Sequence, residues 1–260
     1  MKKILLTTAT VALLSTSAFA MEAGKMYFRG DAGYQFSNLK NNLLGDTGSK
    51  KLKGFSGDIG FGYALSDSVR TDVTLNFSQG KGKQKISSLG TEIKYTPAGT
   101  NPTEIILSTG KATAVTATEK NMGLSFNGYY DFHNSSAFTP YIMGGVGVNR
   151  GKMELKFAGN NGTEDKSFTI KSGNKTGILY QVGFGANYEV SKDVLIDVGY
   201  KLQGHSSKYK IKFKDNEKIT INSITGGDKD NPLPLEGKDK KGMKKNTMQH
   251  TITAGVVFSF

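Results

Sequence analysis

The residues that could carry out catalysis are few. His205 lies two positions before Ser207, so an imidazole could serve as the base that activates a serine hydroxyl. Such a pair needs an acid to orient the imidazole, and the sequence places no acid convincingly beside it. The other two histidines, His133 and His250, are distant in the chain, so we expect no metal site and no cofactor. The chain has no Cys, which removes disulfides, thiolate metal ligands and thiol nucleophiles.

Arg29, Gly30 and Asp31 form the tripeptide that integrins recognise, which makes them a candidate adhesion motif. They lie within a segment that alternates apolar and polar residues, and side chains two apart in a strand point to the same face. Arg29 and Asp31 therefore share the inward, polar face of a predicted strand. We expect them to be buried and flat, not displayed at an exposed tip.

The N-terminus has the pattern of an export signal. Lys2 and Lys3 precede an apolar run over residues 4–14, and Ala18 and Ala20 supply small residues at a cleavage site. The run is too short for a membrane-spanning helix. We predict a signal peptide at residues 1–20 and one domain at residues 21–260, since all-β domains of this size are common.

Eight segments alternate with a period of two, which predicts β-strands. The last segment is the most regular, with His250, Ile252, Ala254, Val256 and Phe258 on one face, and it ends on the aromatic Phe260. The fifth segment leaves its facing open, because residues 141 and 143 compete with 142, 146 and 148 for the apolar face. The predicted strands are 26–36, 55–63, 69–78, 122–130, 138–149, 178–188, 194–202 and 246–260.

The connections between these strands alternate in length. Three are turns of about four to six residues, and the long ones are 37–53, 80–118, 150–176 and 205–245. Short turns on one side and long loops on the other are typical of an outer-membrane barrel with its termini on the periplasmic side. We therefore predict an all-β fold: an eight-stranded antiparallel transmembrane up-and-down barrel. A soluble barrel has no physical reason to place its short connections at one end and its long connections at the other.

Aromatic residues lie at the strand ends next to the termini and short turns, where an interfacial girdle belongs. β-propensity alone also enriches Phe and Tyr in strands, so this observation supports the barrel without deciding it. The aromatic set is Phe28, Tyr63, Tyr130, Phe138, Tyr188, Phe258 and Phe260.

Charged residues share the inward face of several predicted strands. An eight-stranded barrel is just wide enough for side chains to fill it, and buried charges need partners. We therefore expect a lumen plugged by mixed-sign clusters and not a conducting channel. The predicted network is Arg29, Asp31, Asp58, Arg70, Asp72, Asp197 and Lys201.

The same alternation bears on His205 and Ser207, because both continue the inward face of the seventh strand. An eight-stranded lipid A deacylase also uses a His and a Ser two apart, but its chemistry needs them to face lipid. A lipid A-modifying enzyme is therefore the least favoured alternative, and we expect no catalytic residues.

Positive charge is concentrated in the long connections. They hold 26 of the 34 Lys and Arg residues and 12 of the 22 acids, a net charge of +14, and the rest of the chain sums to −2. Such a surface attracts anionic partners such as lipopolysaccharide phosphates or acidic host proteins, whereas the export signal argues against nucleic acid. Lysines also solubilise exposed strands, so a purely solvated surface remains an alternative. The candidate binding residues are Lys208, Tyr209, Lys210, Lys212, Phe213, Lys214, Lys240, Lys241, Lys244 and Lys245.

The chain resembles the small outer-membrane β-barrel surface antigens, and among them the rickettsial Adr-type adhesins. The resemblance covers most of the chain and rests on the signal, on residues 27–33, 60–63, 67–72 and 144–147, and on the closing strand. It implies an eight-stranded barrel whose terminal aromatics, Phe258 and Phe260, are read by the barrel-assembly machinery. It also implies loops exposed at the surface of a Gram-negative cell that bind a host extracellular or serum protein such as vitronectin.

We therefore predict an outer-membrane surface protein that acts as an adhesin or host-protein binder through its basic loops. A structural outer-membrane barrel without a dedicated ligand is the alternative.

Overall fold

The computed structural model describes residues 21–39, 50–86, 91–97, 103–108, 113–160, 164–172, 175–209, 218–223, 233–236 and 243–260. The predicted signal peptide, residues 1–20, lies outside these ranges. Within them the regular structure consists of strands, and no helix could span a membrane. The thirteen strands are β1 (Met26–Leu39), β2 (Lys50–Ser66), β3 (Val69–Ile86), β4 (Thr91–Thr96), β5 (Ile105–Ser108), β6 (Thr113–Asp131), β7 (Phe138–Asn160), β8 (Asp165–Lys171), β9 (Lys175–Ser191), β10 (Val194–Tyr209), β11 (Lys218–Ser223), β12 (Leu233–Glu236) and β13 (Met243–Ser259).

Eight of these strands form a closed antiparallel barrel. The order is β6-β3-β2-β1-β13-β10-β9-β7, and pairing of β6 with β7 closes the cylinder. Closure is confirmed at the chain ends, where β1 pairs with β13 from Tyr27 opposite Ser259 to Ser37 opposite Gln249. The predicted eight-stranded barrel is therefore confirmed.

The outer wall carries an apolar belt, because alternate residues of every barrel strand point away from the lumen. On β7, Ile142, Val146 and Val148 are exposed and Tyr141 is buried, which settles the facing that the sequence left open. The seven predicted girdle aromatics are all exposed, at the end where the termini and the short turns lie.

The barrel strands are longer than predicted. β3 continues to Ile86 and β6 begins at Thr113, and these extensions stay paired up to Ile86 opposite Thr113. Residues 152–157 and 167–171 alternate in the sequence, which predicts hairpins above the membrane, and the pairing of β7 with β8 confirms a hairpin there. The prediction that residues 80–118 form a loop was wrong in part. Backbone pairing continues beyond the apolar belt because the alternation continues there.

A second sheet lies at this far end, with the order β12-β11-β4-β5. It joins the connection between β3 and β6 to the connection between β10 and β13, since β4 pairs with β11 from Thr96 opposite Lys218 to Thr91 opposite Ser223. Two of the long connections are thus tied together by backbone hydrogen bonds.

Candidate functional site

The periplasmic end of the lumen is closed by apolar side chains. Met21, Tyr27, Ala64, Leu195 and Val257 form a buried cluster there. They come from the N-terminal segment and from β1, β2, β10 and β13, so they hold one end of the barrel together.

Arg70 lies above this floor in an aromatic cage. Its Nε donates to Asp131 Oδ2 at 2.9 Å, and the side chain is fully buried. The guanidinium carbon lies 4.4, 5.1 and 5.7 Å from the ring centroids of Tyr129, Tyr141 and Tyr27, respectively. Cation–π contact of this kind strengthens when the cation is desolvated. The sequence analysis missed Asp131, although it has the inward parity, because it lies one residue past the predicted strand.

Arg29 is the second centre of the network. Its Nε and Nη2 donate to Asp31 Oδ2 at 2.8 and 2.6 Å, and its Nη1 lies 3.6 Å from Asp72 Oδ2 and donates to the Tyr129 hydroxyl. The two charged residues of the integrin tripeptide are thus ion-paired to each other inside the barrel. They are buried and present no tip to a receptor.

The remaining predicted charges also lie in the lumen. Lys201 Nζ donates to Asp58 Oδ2 at 2.6 Å, and Asn76 Nδ2 donates to Asp58 Oδ1 at 2.8 Å. The Tyr141 hydroxyl donates to Asp197 Oδ1 at 3.1 Å. The Asn187 amide, oriented to satisfy its neighbours, donates to Asp197 Oδ2 at 2.9 Å and accepts from Arg70 Nη2 at 3.0 Å.

His205 lies higher in the lumen, beside an acid that the sequence did not reveal. Its Nε2 is 3.2 Å from Glu119 Oε1, and both side chains are buried. The expectation that no acid orients His205 was therefore wrong, because Glu119 lies before the predicted fourth strand, residues 122–130, on a part of β6 that was not predicted. His205 is only 2% exposed, however, and points inward, so it has no access to lipid acyl chains. Ser207 lies on β10, and its side chain is outside the described part of the structure.

The network leaves little open space. Two cavities among its residues have volumes of about 10 and 20 Å³, and the larger is lined by Arg29, Asp58, Tyr129 and Lys201 among others. A single water molecule needs a cavity of about 10–15 Å³. These two cavities therefore have room for isolated waters and are too small for an organic ligand.

Above His205 the interior of the barrel changes from polar to apolar. A buried apolar cluster lies there, and we call the part of the molecule around this cluster the extracellular body. Tyr95 of β4 stacks on Phe168 of β8 at 4.5 Å, and Phe168 stacks on Phe157 of β7 at 4.8 Å. The second sheet therefore packs on the end of the barrel. The buried cluster consists of Leu52, Leu107, Val115, Ala117, Met153, Leu155, Phe157, Phe168 and Ile170.

The predicted basic binding residues are only partly described. Lys208 and Tyr209 end β10, and Lys244 and Lys245 begin β13, with Lys208 opposite Lys244 in the register. Their side chains lie outside the described part of the structure, as do Lys210, Lys212, Phe213, Lys214, Lys240 and Lys241 entirely.

The terminal aromatics lie where the barrel closes. Phe258 pairs with Phe28 across β13 and β1, and the backbone of Phe260 exchanges hydrogen bonds of 2.9 and 3.1 Å with Met26. The Phe260 ring is exposed and lies 6.4 Å from the ring of Phe61. Their recognition by the assembly machinery stays a prediction.

The chain matches the family described as "Outer membrane protein beta-barrel domain" over residues 6–260. It belongs to this family. The apolar belt is thus the surface that an outer-membrane barrel turns toward lipid, and the protein is located in the outer membrane.

Several curated relatives of this outer-membrane barrel come from Rickettsia. The "Putative adhesin RP828" of Rickettsia prowazekii is 30% identical over 219 residues, 81% of this chain and 89% of that protein. The "Putative adhesin A1I_01215" of Rickettsia bellii is 30% identical over 99% of both chains. Among solved structures, Neisserial surface protein A is 19% identical with a TM-score of 0.44, covering 90% of this chain and 97% of that one.

Proposed function

We propose that this outer-membrane barrel is an adhesin that binds a host extracellular or serum protein through its basic extracellular end. The observation that carries the proposal is the sequence similarity to rickettsial proteins named as adhesins, which extends over nearly the whole chain. The filled lumen also supports the proposal, because a barrel whose interior is filled by paired charges has its outer surfaces available for recognition.

The extracellular end supports recognition in a second way. The extracellular body has its own buried apolar cluster, so it can present connecting segments on a fixed support. Preorganised surfaces lose less conformational entropy when they bind.

The connection between β10 and β13 is the strongest candidate for the contact surface. Residues 205–245 contain 11 Lys and 6 acids, so this segment is the most basic of the four. A like-charged surface of this kind accelerates association with acidic partners. Within our proposal, Tyr209 and Phe213 supply apolar contact that salt does not screen, and vitronectin is the ligand that the resemblance implies.

The test is binding of refolded protein to immobilised vitronectin, with Lys208, Lys210, Lys212 and Lys214 all changed to Gln. We expect affinity to fall in this variant, and the affinity of the unaltered protein to fall between low salt and about 0.5 M salt, because exposed charges more than about 8 Å apart are screened at physiological ionic strength.

The matched control changes Lys152, Lys156, Lys166 and Lys171 to Gln, which removes the same charge from β7 and β8 at the same end of the molecule. This control should retain binding. Equal loss in both variants would show attraction by net charge alone, and equal retention at every salt concentration would favour a structural barrel without a dedicated ligand.

A further inference from the structure

A row of basic side chains lies on the outer wall directly above the apolar belt, across β2, β3, β6 and β7. Toward the extracellular end of β2, the exposed Phe55 is followed by exposed Lys53. On β6 the exposed Met122 is followed in the same direction by exposed Lys120. On β7 the exposed Val148 is followed by exposed Arg150. We call Lys53, Lys81, Lys120, Arg150 and Lys152 the basic band; all five have the outward parity of their strands.

The strand register makes the band continuous. Lys53 lies opposite Lys81 across β2 and β3, and Lys120 lies opposite Lys152 across β6 and β7. Lys120 also lies opposite Gln79, two residues from Lys81, which makes Lys81 and Lys120 diagonal neighbours. Three strand spacings of about 4.8 Å give the band a width of about 14 Å.

Like charges directly opposite each other in a sheet are destabilising unless a counter-charge lies near them. Lys152 has one, since its Nζ lies 3.3 Å from Glu154 Oε1. Within the described ranges, no carboxylate forms an ion pair with Lys53, Lys81 or Lys120. The Lys53–Lys81 pair, and Lys120 in the second pair, therefore favour an external anion.

The other side of the barrel differs at the same height. Above the belt, β1 and β13 place Phe36 against His250 in a stack at 5.1 Å, and His250 Nδ1 is hydrogen-bonded to the Tyr200 hydroxyl of β10. Among the side chains described there, Met248 follows on β13, and Leu202 and Ser206 follow on β10. None of these described side chains is a Lys or Arg, whereas the described part of β2, β3, β6 and β7 carries the five cations of the band.

We propose that the basic band binds the phosphates of a phosphorylated glycolipid in the outer leaflet, with the acyl chains lying on the apolar belt beneath it. The belt supplies the apolar contact and the band supplies paired cations at headgroup height, where Lys side chains extend their charged ends into the interface. The width of the band exceeds one phosphate group, so the ligand is one with more than one phosphate. The site is separate from the host-binding surface and does not depend on it.

The experiment measures binding of lipid A with two phosphates, and of the same lipid with both phosphates removed, to the mature chain refolded in zwitterionic micelles. Native mass spectrometry reports the bound fraction. The test variant is Lys53→Gln/Lys81→Gln/Lys120→Gln. The control, Lys156→Gln/Lys171→Gln/Lys192→Gln, removes three exposed charges outside the band. A shift in gel mobility between unheated and heated samples shows that each variant is folded.

We expect the unaltered protein to bind the bisphosphorylated lipid about tenfold more tightly than the dephosphorylated one, with the preference lost in the test variant and kept in the control. Equal binding of the two lipids would overturn the proposal, as would equal loss in both variants. Displacement of the lipid by millimolar inorganic phosphate would also contradict it, because the site would then recognise free phosphate and not a lipid headgroup.

Discussion

At the scale of single residues, the lumen shows how buried charges are held in this barrel. Arg70 has one carboxylate partner and three aromatic rings around it, and it has almost no exposure to solvent. Burial of an ion is costly, so the geometry of its partners determines whether the folded state tolerates it. Removal of one partner leaves the other as a buried, uncompensated charge.

We therefore expect Arg70→Met to destabilise the refolded barrel by about 3–5 kcal/mol, because Asp131 is left unpaired. Urea unfolding in detergent micelles measures this loss. The double variant Arg70→Met/Asp131→Asn should recover part of it. Lys192→Met, at an exposed turn position, should change stability by about 0.5 kcal/mol or less, and a similar loss in Lys192→Met and Arg70→Met would contradict the assignment.

Sequence reasoning identified which residues face inward, because strand alternation has a period of two. It could not identify partners, since those depend on strand register and on distances across the lumen. Arg29 pairs with Asp31 on its own strand and also approaches Asp72 on β3. Glu119 was missed altogether, because it lies outside the predicted fourth strand, residues 122–130, on the longer β6 of the structure.

At the scale of strands, two glycines of β7 give a matched comparison. A Cβ at Gly147 would overlap the Leu124 carbonyl oxygen and lie 2.7 Å from Ser125 Cα, whereas a Cβ at Gly144 would meet nothing within 4 Å. Gly147 is therefore a position of close strand packing and Gly144 is not. Alternation places Gly147 on the inward face and Gly144 on the outward face of β7, but the close approach to the backbone of β6 is visible only in the structure.

We expect Gly147→Ala to destabilise the barrel by about 1–3 kcal/mol, because the adjacent strand must move. Gly144→Ala should be neutral or slightly stabilising, since Gly in a strand costs about 0.5–1 kcal/mol relative to Ala. The measurement is the midpoint temperature at which each variant loses the gel mobility of the unheated, folded protein. Equal midpoints would show that the close approach of β6 and β7 does not constrain the strand.

The sequence analysis did not predict that β3 and β6 extend as paired strands beyond the belt. All nine residues of the upper apolar cluster lie in segments that were predicted to be loops. Their alternation, as in Met153, Leu155 and Phe157, was visible and indicated hairpins. Their shared core was not visible in the sequence, because it combines residues of the five strands β2, β5, β6, β7 and β8.

We expect Phe168→Ala to loosen the extracellular body without unfolding the membrane part. Truncation of a buried Phe typically costs about 3–5 kcal/mol, and this ring stacks on both Tyr95 and Phe157. Trypsin should cleave the extracellular segments faster while the heat-dependent gel shift persists. Phe55→Ala removes a ring that is 74% exposed on the outer wall and should leave cleavage unchanged. Equal cleavage of the Phe168 variant and the unaltered protein would contradict the packing role.

At the scale of the whole molecule, the barrel is closed inside at three levels. An apolar floor lies at the periplasmic end, a charge network fills the middle, and a second apolar cluster lies above them. The fold and its location in the outer membrane followed from strand alternation and from the length of the connections. The residues that recognise a ligand could not be predicted in this way, because they lie in connecting segments whose conformation is not specified by strand alternation.

The most direct test of this account exchanges the whole extracellular end with that of an inert eight-stranded barrel. Segments 37–53, 80–118, 150–176 and 205–245 must move together, because the buried cluster draws residues from three of them and the β4–β11 pairing joins the fourth. Binding to vitronectin is then measured for both chimeras in the same micelles. The account predicts that binding moves with the exchanged segments to the inert barrel and is lost from the reciprocal chimera. Retention of binding by the chimera that keeps only the membrane part of this chain would contradict it.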